Sequence, residues 1–161
     1  MTTPVFTHRH VVTFEETNVV GNVYFARHIA WQGSCREMFL RDNAPGTLVE
    51  IAADLRLVTV SVACDYFQEL RAFDEIELGM SLVEQTGNRI LLSFDYRLAR
   101  RDGWQQVARG RQEIRSMRQR GDTMVPCPIP DELATALRAY RASSGGPPAR
   151  SPLDPVNATN P

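Results

Sequence analysis

The chain is predicted to fold as an α+β domain in which one long helix lies across a curved antiparallel sheet. Three observations predict this. From Tyr24 to about Asp42, Ala26, Ile29, Ala30, Gly33, Glu37 and Leu40 recur at three- and four-residue spacing, with Phe25, Ile29, Gln32, Arg36 and Phe39 on an adjoining stripe. That is helical periodicity. From Leu55 onward the texture changes to strand-length runs rich in Val, Leu, Ile and Thr. Two tight-turn signals, Thr86-Gly87-Asn88 and Arg101-Asp102-Gly103, then join successive runs as hairpins. A single helix against such a sheet gives each element a partner for its apolar face.

Taken in order, Thr7–Glu16 reads as a first strand, carrying Val11, Val12 and Phe14 among Thr and His. A loop of turn-tolerant residues follows, with Asn18, Gly21 and Asn22. The helix begins at Tyr24 and is expected to be buried, with another element packed closely on Ala26, Ala30 and Gly33. Such packing would offset the roughly 1 kcal/mol that Gly costs in a helix interior. Asn43-Ala44-Pro45-Gly46 is read as its stop, and Thr47–Ala53 as a short connector, helical or irregular. Leu55–Tyr66 is the second strand, Phe73-Asp74 a turn, Glu75–Glu84 an alternating third strand, Arg89–Arg100 a fourth and Trp104–Met117 a fifth. Pro126, Pro128 and Pro130 are expected to end the sheet. A short helix is predicted over Asp131–Arg141, with acidic residues at its N-terminus. The domain is thus expected to span residues 1–141, with 142–161, polar and Pro-rich, as a disordered tail.

Composition narrows the function. A hydrophobic fraction of 43% over 161 residues supports one domain with a real core. The net charge of −1 gives no general attraction to nucleic acid or anionic membrane. Cys35, Cys64 and Cys127 are odd in number and too scattered for a zinc or CxxC pattern, which points to free thiols in a reducing cytoplasm. No signal peptide is recognisable, and no apolar run reaches the roughly 18 residues of a membrane span. A soluble, cytoplasmic protein is expected. The sheet edge needs covering, so oligomerisation is expected as well.

The loop carries the most specific pattern. Asn18-Val19-Val20-Gly21-Asn22-Val23-Tyr24-Phe25 resembles the motif D-x-x-G-x-V-x-F/Y of hotdog-fold thioesterases in the 4-hydroxybenzoyl-CoA thioesterase-like group. In that group the motif joins strand one directly to the helix. The resemblance covers about residues 7–120. Gly21, Val23 and Phe25 match, while Asn18 stands where the group has its catalytic carboxylate. The stretch TFEETNVVGNVYFARHIAWQGSCREMFL, with that Asn, is similar to the thioesterases of enediyne biosynthesis, of the calicheamicin and dynemicin type. The resemblance implies release of a polyene β-ketoacyl chain from the acyl carrier protein of an iterative enediyne polyketide synthase. It also implies reliance on an Asn and a helix Arg in place of the acid. Asn18 and Arg36 occupy those places.

Thioester hydrolysis requires a polarised carbonyl, a nucleophile and stabilisation of the developing oxyanion. The start of a helix supplies free N–H groups and the positive end of a dipole, so Tyr24 and Phe25 are the candidate oxyanion donors. Asn18 is uncharged and suited to orienting water or binding a carbonyl, or it is simply a turn former. An Arg at position 36 of a buried helix needs partners. These are either Glu37, Asp65 or Glu69 in an ion pair, or oxygens of the substrate. Phe25 and Arg36 stand about 16 Å apart along the helix axis. Either the acyl chain runs along the helix, or a second subunit completes the site. His28, Thr59, Gln32 and Ile29 make up the expected substrate-binding set; His28 and Thr59 have structural readings too. Glu16 is the conventional alternative base. Cys35, beside Arg36, lacks recognisable partners for a nucleophile.

The expectation is therefore a hotdog thioesterase acting on a carrier-bound polyene β-ketoacyl chain, assembled as a homotetramer from dimers. The released β-keto acid is able to lose CO₂. No metal or organic cofactor is implied. The alternatives are a general acyl-CoA thioesterase and a non-catalytic acyl-binding hotdog protein.

Overall fold

A computed structural model describes residues 4–143. Strands β1 (Phe6–Val11), β2 (Leu55–Tyr66), β3 (Glu75–Thr86), β4 (Arg89–Arg100), β5 (Gly103–Arg120) and β6 (Thr123–Pro126) form one antiparallel sheet. Its order is β1-β3-β4-β5-β2, with β6 pairing on β5. Three α-helices accompany it among the described residues: α1 (Phe25–Asn43), α2 (Pro45–Ala53) and α3 (Asp131–Arg138). The inner face of the sheet follows the strand alternation, through Ile76, Leu78, Met80 and Leu82 on β3 and Ile90, Leu92, Phe94, Tyr96 and Leu98 on β4. Helix α1 lies against this face through Trp31, Cys35, Phe39 and Leu40. This is the α+β hotdog arrangement, a curved sheet wrapped around one long helix.

Several boundaries differ from the sequence reading. β1 stops at Val11, and Phe14–Glu16 forms a 3-10 turn with a Thr13–Glu16 capping box. The Glu16 side chain folds back on its own chain, so strand alternation does not apply to it. The central helix stops at Asn43, as read, and the connector is helical from Pro45 onward: Pro45 starts α2 at the first helical position, where its missing N–H costs nothing. Glu132 caps that start, its carboxylate accepting from the Thr47 N–H at 2.7 Å. Pro126 is the last residue of the sheet, as expected, but β5 does not run straight to it: Thr123–Pro126 doubles back on Met117–Arg120 through Gly121, whose φ is +59°, as an additional strand.

The buried side of α1 is also not the one expected. His28, Trp31, Gln32, Cys35, Phe39 and Leu40 face inward, whereas Ala26 and Ala30 are exposed. A Cβ placed on Gly33 would meet nothing within 4 Å. Nothing in the single chain therefore packs closely on the small residues. The expected tail, residues 142–161, lies outside the described residues from 144 onward. Within them, the Ala142 N–H donates to the Leu82 carbonyl at 2.8 Å.

Candidate active site

The loop between the 3-10 turn and α1 is built by backbone bonds around Asn18. Its N–H donates to Asn22 O (2.8 Å), and its carbonyl accepts from the Gly21 N–H (2.9 Å). Its Oδ1 accepts from the Val20 N–H at 3.0 Å. Gly21 takes φ +87°, a conformation that favours glycine. Asn18 thus spends Oδ1 on the turn, while no bond from its Nδ2 occurs among the described residues. The turn is anchored from both sides: Val23 N–H donates to Leu70 O (2.8 Å) and Tyr24 N–H to Glu16 O (2.9 Å).

That last bond corrects one expectation. The Tyr24 N–H is consumed by the loop, so of the two expected donors only the Phe25 N–H is left without an acceptor among the described residues. It is the first N–H of a 19-residue helix and points the positive end of the dipole outward. Phe25 lines a cleft of about 280 Å³ with Asn22, His28, Tyr66, Phe67 and Glu69. The Tyr66 hydroxyl donates to Phe25 O at 2.8 Å across this cleft. The Asn22 amide donates to Glu69 at 3.0 Å, leaving its own Oδ1 buried without a donor.

His28, one turn into α1, is 3% exposed, and neither ring nitrogen makes a hydrogen bond of good geometry. Its ring is held by aromatic neighbours, Tyr66 at 4.8 Å, Trp31 at 5.0 Å and Tyr96 at 5.4 Å between centroids. Burial pushes its pKa down to about 4, against a smaller opposing pull from the Phe25 carbonyl, so the imidazole is neutral.

Arg36 lies further along α1 and away from this cleft. None of the carboxylates expected to pair with it does so. Its Nη1 donates to Thr59 Oγ1 (2.9 Å) and to Gln112 Oε1 (3.2 Å), both neutral. Burial lowers the guanidinium's pKa, with a smaller opposing effect from Glu37, and an Arg stays charged regardless. The local sheet geometry makes the grip possible. β2 and β5 slip register between Thr59 and Ser61, a bulge of the kind that re-aims a side chain beside a site. Gln32 is fully buried and donates to Ala63 O at 3.1 Å; its Oε1 has no partner. Ile29 is half-buried between the two regions.

Sequence reasoning missed Gln112 and Tyr66. Gln112 had a signal, as a polar residue in an inward row with Gly110, Ile114 and Ser116 on β5. Tyr66, at the end of β2, had none.

The alternative nucleophile and base are both engaged elsewhere. Glu16 accepts from Thr13 N–H (2.7 Å), Trp31 Nε1 (2.7 Å) and Thr13 Oγ1 (3.1 Å), and meets His10 Nε2 at 2.8 Å. Burial alone would raise its pKa; the Thr13, His10 and Trp31 bonds outweigh this and hold it below the usual carboxylate range. Cys35 is fully buried, and burial pushes its thiol up to about 12. Among the described residues no cluster of His, Cys, Asp or Glu could hold a metal ion, and no helix is long and apolar enough to cross a membrane.

The family model of the thioesterase-like superfamily matches residues 12–137. Among solved structures, the dynemicin thioesterase, studied for induced-fit and allosteric effects upon polyene binding, is 46% identical with a TM-score of 0.84, covering 88% of this chain and 100% of that one. More distant structures share the fold. The 4-hydroxybenzoyl-CoA thioesterase in complex with 4-hydroxybenzoyl-CoA is 14% identical, with a TM-score of 0.71, over 83% of this chain and 98% of that one. The 1,4-dihydroxy-2-naphthoyl-CoA thioesterase from Synechocystis is 19% identical, with a TM-score of 0.69, over 84% and 96%. A search of curated proteins found no match. With the motif loop feeding a helix N-terminus inside a hotdog sheet, the chain belongs to the thioesterase-like superfamily and is an acyl-thioester hydrolase.

Proposed function

We propose that this thioesterase releases a polyene β-ketoacyl chain from the acyl carrier protein of an iterative enediyne polyketide synthase. The likeness to the dynemicin thioesterase supports the substrate class. The observation that carries the reading is Arg36: a largely desolvated cation that, among the described residues, hydrogen-bonds the neutral Thr59 and Gln112 and feels Glu37 only at a distance, with no ion pair. A buried charge without a counter-charge is costly, and a substrate oxygen that gains negative charge supplies what is missing.

In this reading water, oriented by the Asn18 amide, adds to the thioester carbonyl carbon. The carbonyl oxygen gathers negative charge, which the Phe25 N–H and the α1 dipole stabilise. Collapse breaks the C–S bond; one proton of the added water leaves on the carrier thiol, the other passes to solvent, and the β-keto acid leaves as its carboxylate. The acid is then able to lose CO₂. No step draws on a metal or organic cofactor. Arg36, about three turns beyond Phe25 on α1, polarises a substrate oxygen across a subunit boundary. The working form is a homotetramer built from dimers, in the cytoplasm.

The test is turnover of a polyene β-ketoacyl thioester on a carrier protein, read by thiol release and acid formation, with heat-killed protein as control. Release of both products is expected. Faster turnover of acyl-CoA thioesters would favour a general acyl-CoA thioesterase, and binding without turnover an acyl-binding protein.

A further inference from the structure

The cleft at the start of α1 holds a group that the mechanism above leaves unused. His28 is buried and uncharged, and neither ring nitrogen makes a hydrogen bond of good geometry, the Phe25 backbone carbonyl exerting only a weak pull on the ring. Its packing role would be served as well by Phe. Tyr96 does not satisfy the ring, because its hydroxyl donates to the His28 backbone carbonyl at 2.6 Å. Native proteins pair nearly all buried polar side-chain atoms, so an imidazole with two unmet atoms points to a ligand.

Position tells which part of the ligand. His28 follows the open Phe25 N–H by three residues, hence on the same face of the helix and about 4.5 Å along its axis. Both residues line the same cleft. A neutral imidazole carries one N–H donor. The pair therefore offers two donors, on neighbouring turns, to two acceptor oxygens of one ligand. Resting on the β-ketoacyl reading above, we infer that His28 is a specificity-determining residue that donates a hydrogen bond to the β-keto oxygen while the Phe25 N–H receives the thioester oxygen of the same acyl chain. Arg36 is too far along α1 to reach that second oxygen within one subunit.

The cover over His28 fits this role. Both ring nitrogens are closed off from solvent, with the half-exposed Tyr66 ring edge-on to the imidazole. A ligand in the cleft reaches them when Tyr66 turns aside. That motion gives up a hydrogen bond from Tyr66 to the Phe25 carbonyl at the surface. It pairs a donor that is otherwise buried and unmet, so occupancy by a β-keto oxygen favours opening.

The experiment compares kcat/KM for a β-ketoacyl thioester and its saturated counterpart in wild type, His28→Phe and His28→Gln. His28→Phe keeps an aromatic ring without polar atoms; His28→Gln restores an uncharged donor. The preference for the β-ketoacyl substrate should fall about 10- to 100-fold in His28→Phe, in line with losing one substrate hydrogen bond, and recover in part in His28→Gln. Equal losses on both substrates, or an unchanged preference, would overturn the inference while leaving the thioesterase reading intact. No turnover of either substrate by wild type would instead sink that reading. A second measurement uses unmutated protein, so misfolding of a variant does not matter. With ¹⁵N-labelled histidine, a non-hydrolysable β-ketoacyl amide should shift the His28 ring signals and a saturated amide should not; no difference between the two overturns the inference.

Discussion

Arg36 and Asn18 carry opposite burdens. Arg36 brings a charge with no ion pair among the described residues, and Asn18 lacks the charge that its family's motif has at that position. Arg36→Ala and Asn18→Ala should each lower kcat/KM on the β-ketoacyl thioester by roughly 10- to 1000-fold, the range for losing an oxyanion-type donor. Asn18→Asp is the sharper variant. A carboxylate can still accept from the Val20 N–H, so the turn survives and the effect on rate reports chemistry. We expect a slower enzyme on β-ketoacyl substrate and a smaller loss on simple acyl thioesters, because an anion there repels developing charge and competes for Arg36. A rate gain on the β-ketoacyl substrate would refute this. Glu16 is a different case, a structural hub joining Thr13, His10 and Trp31. Glu16→Gln should cost roughly 1.5–3 kcal/mol of stability, as for hydrogen bonds to a charged group, with little change in activity per folded molecule. Folding depresses the pKa of Glu16. Its contribution is therefore complete above the unfolded carboxylate range and drains away as pH falls through the lower, folded value. Acid melts should show a smaller stability loss for the Gln variant than for wild type over that window.

At the scale of elements, α1 shows how a polar side chain can shape a strand. Gln32 is fully buried and presses on β5, where a Cβ on Gly110 would come within 2.1 Å of Gln32 Nε2 and 3.2 Å of the Tyr96 ring. Gly110→Ala must push Gln32 aside and should cost about 1–3 kcal/mol, as overpacking does, visible as a lowered Tm. The same contact explains why the inward face of α1 was misread. Sequence periodicity ranks faces by apolar content, and this helix hides His28 and Gln32 while exposing Ala26 and Ala30. The β3–β4 and β4–β5 hairpins were legible, since Thr86-Gly87-Asn88 and Arg101-Asp102-Gly103 mark local reversals; the end of β1 at Val11 and the extra strand β6 were not. The pairing of β1 with β3, and the edge position of β2, join residues distant in sequence and left no local mark. At the site, the motif loop made Asn18 and Phe25 visible, and helical spacing made Arg36 visible. The loss of the Tyr24 N–H to the Glu16 carbonyl arises from the 3-10 turn, which no pattern announced.

For the whole molecule, two open surfaces argue for assembly. β2 is an edge strand whose middle, from Thr59 to Ala63, is exposed. The small residues of α1 meet nothing in the single chain. Edges of this kind are usually covered, and we expect sedimentation at micromolar concentration to show a tetramer of paired dimers. A monomer would remove both the assembly and any site shared between subunits. Gly33→Ala discriminates further. In a lone chain it should gain about 1 kcal/mol of helix stability; against a partner on that face the added methyl should weaken association. We expect the weakened association, measured as a raised dissociation constant.

The end of the described chain has a consequence for synthesis. Beyond the reach of β1, Leu82 on β3 donates to Tyr140 O (2.9 Å) and accepts from Ala142 N–H (2.8 Å), a short parallel bridge that closes this part of the strand. On a ribosome, β3 emerges long before residues 140–142 do. Its rim at Leu82 stays unsealed through the making of β4, β5 and α3, while the β1 segment that covers its other half is already present. Nascent β3 is thus half-protected, and residues 140–142 act as its closing stitch, late in elongation and at the point where another exposed strand would compete for it.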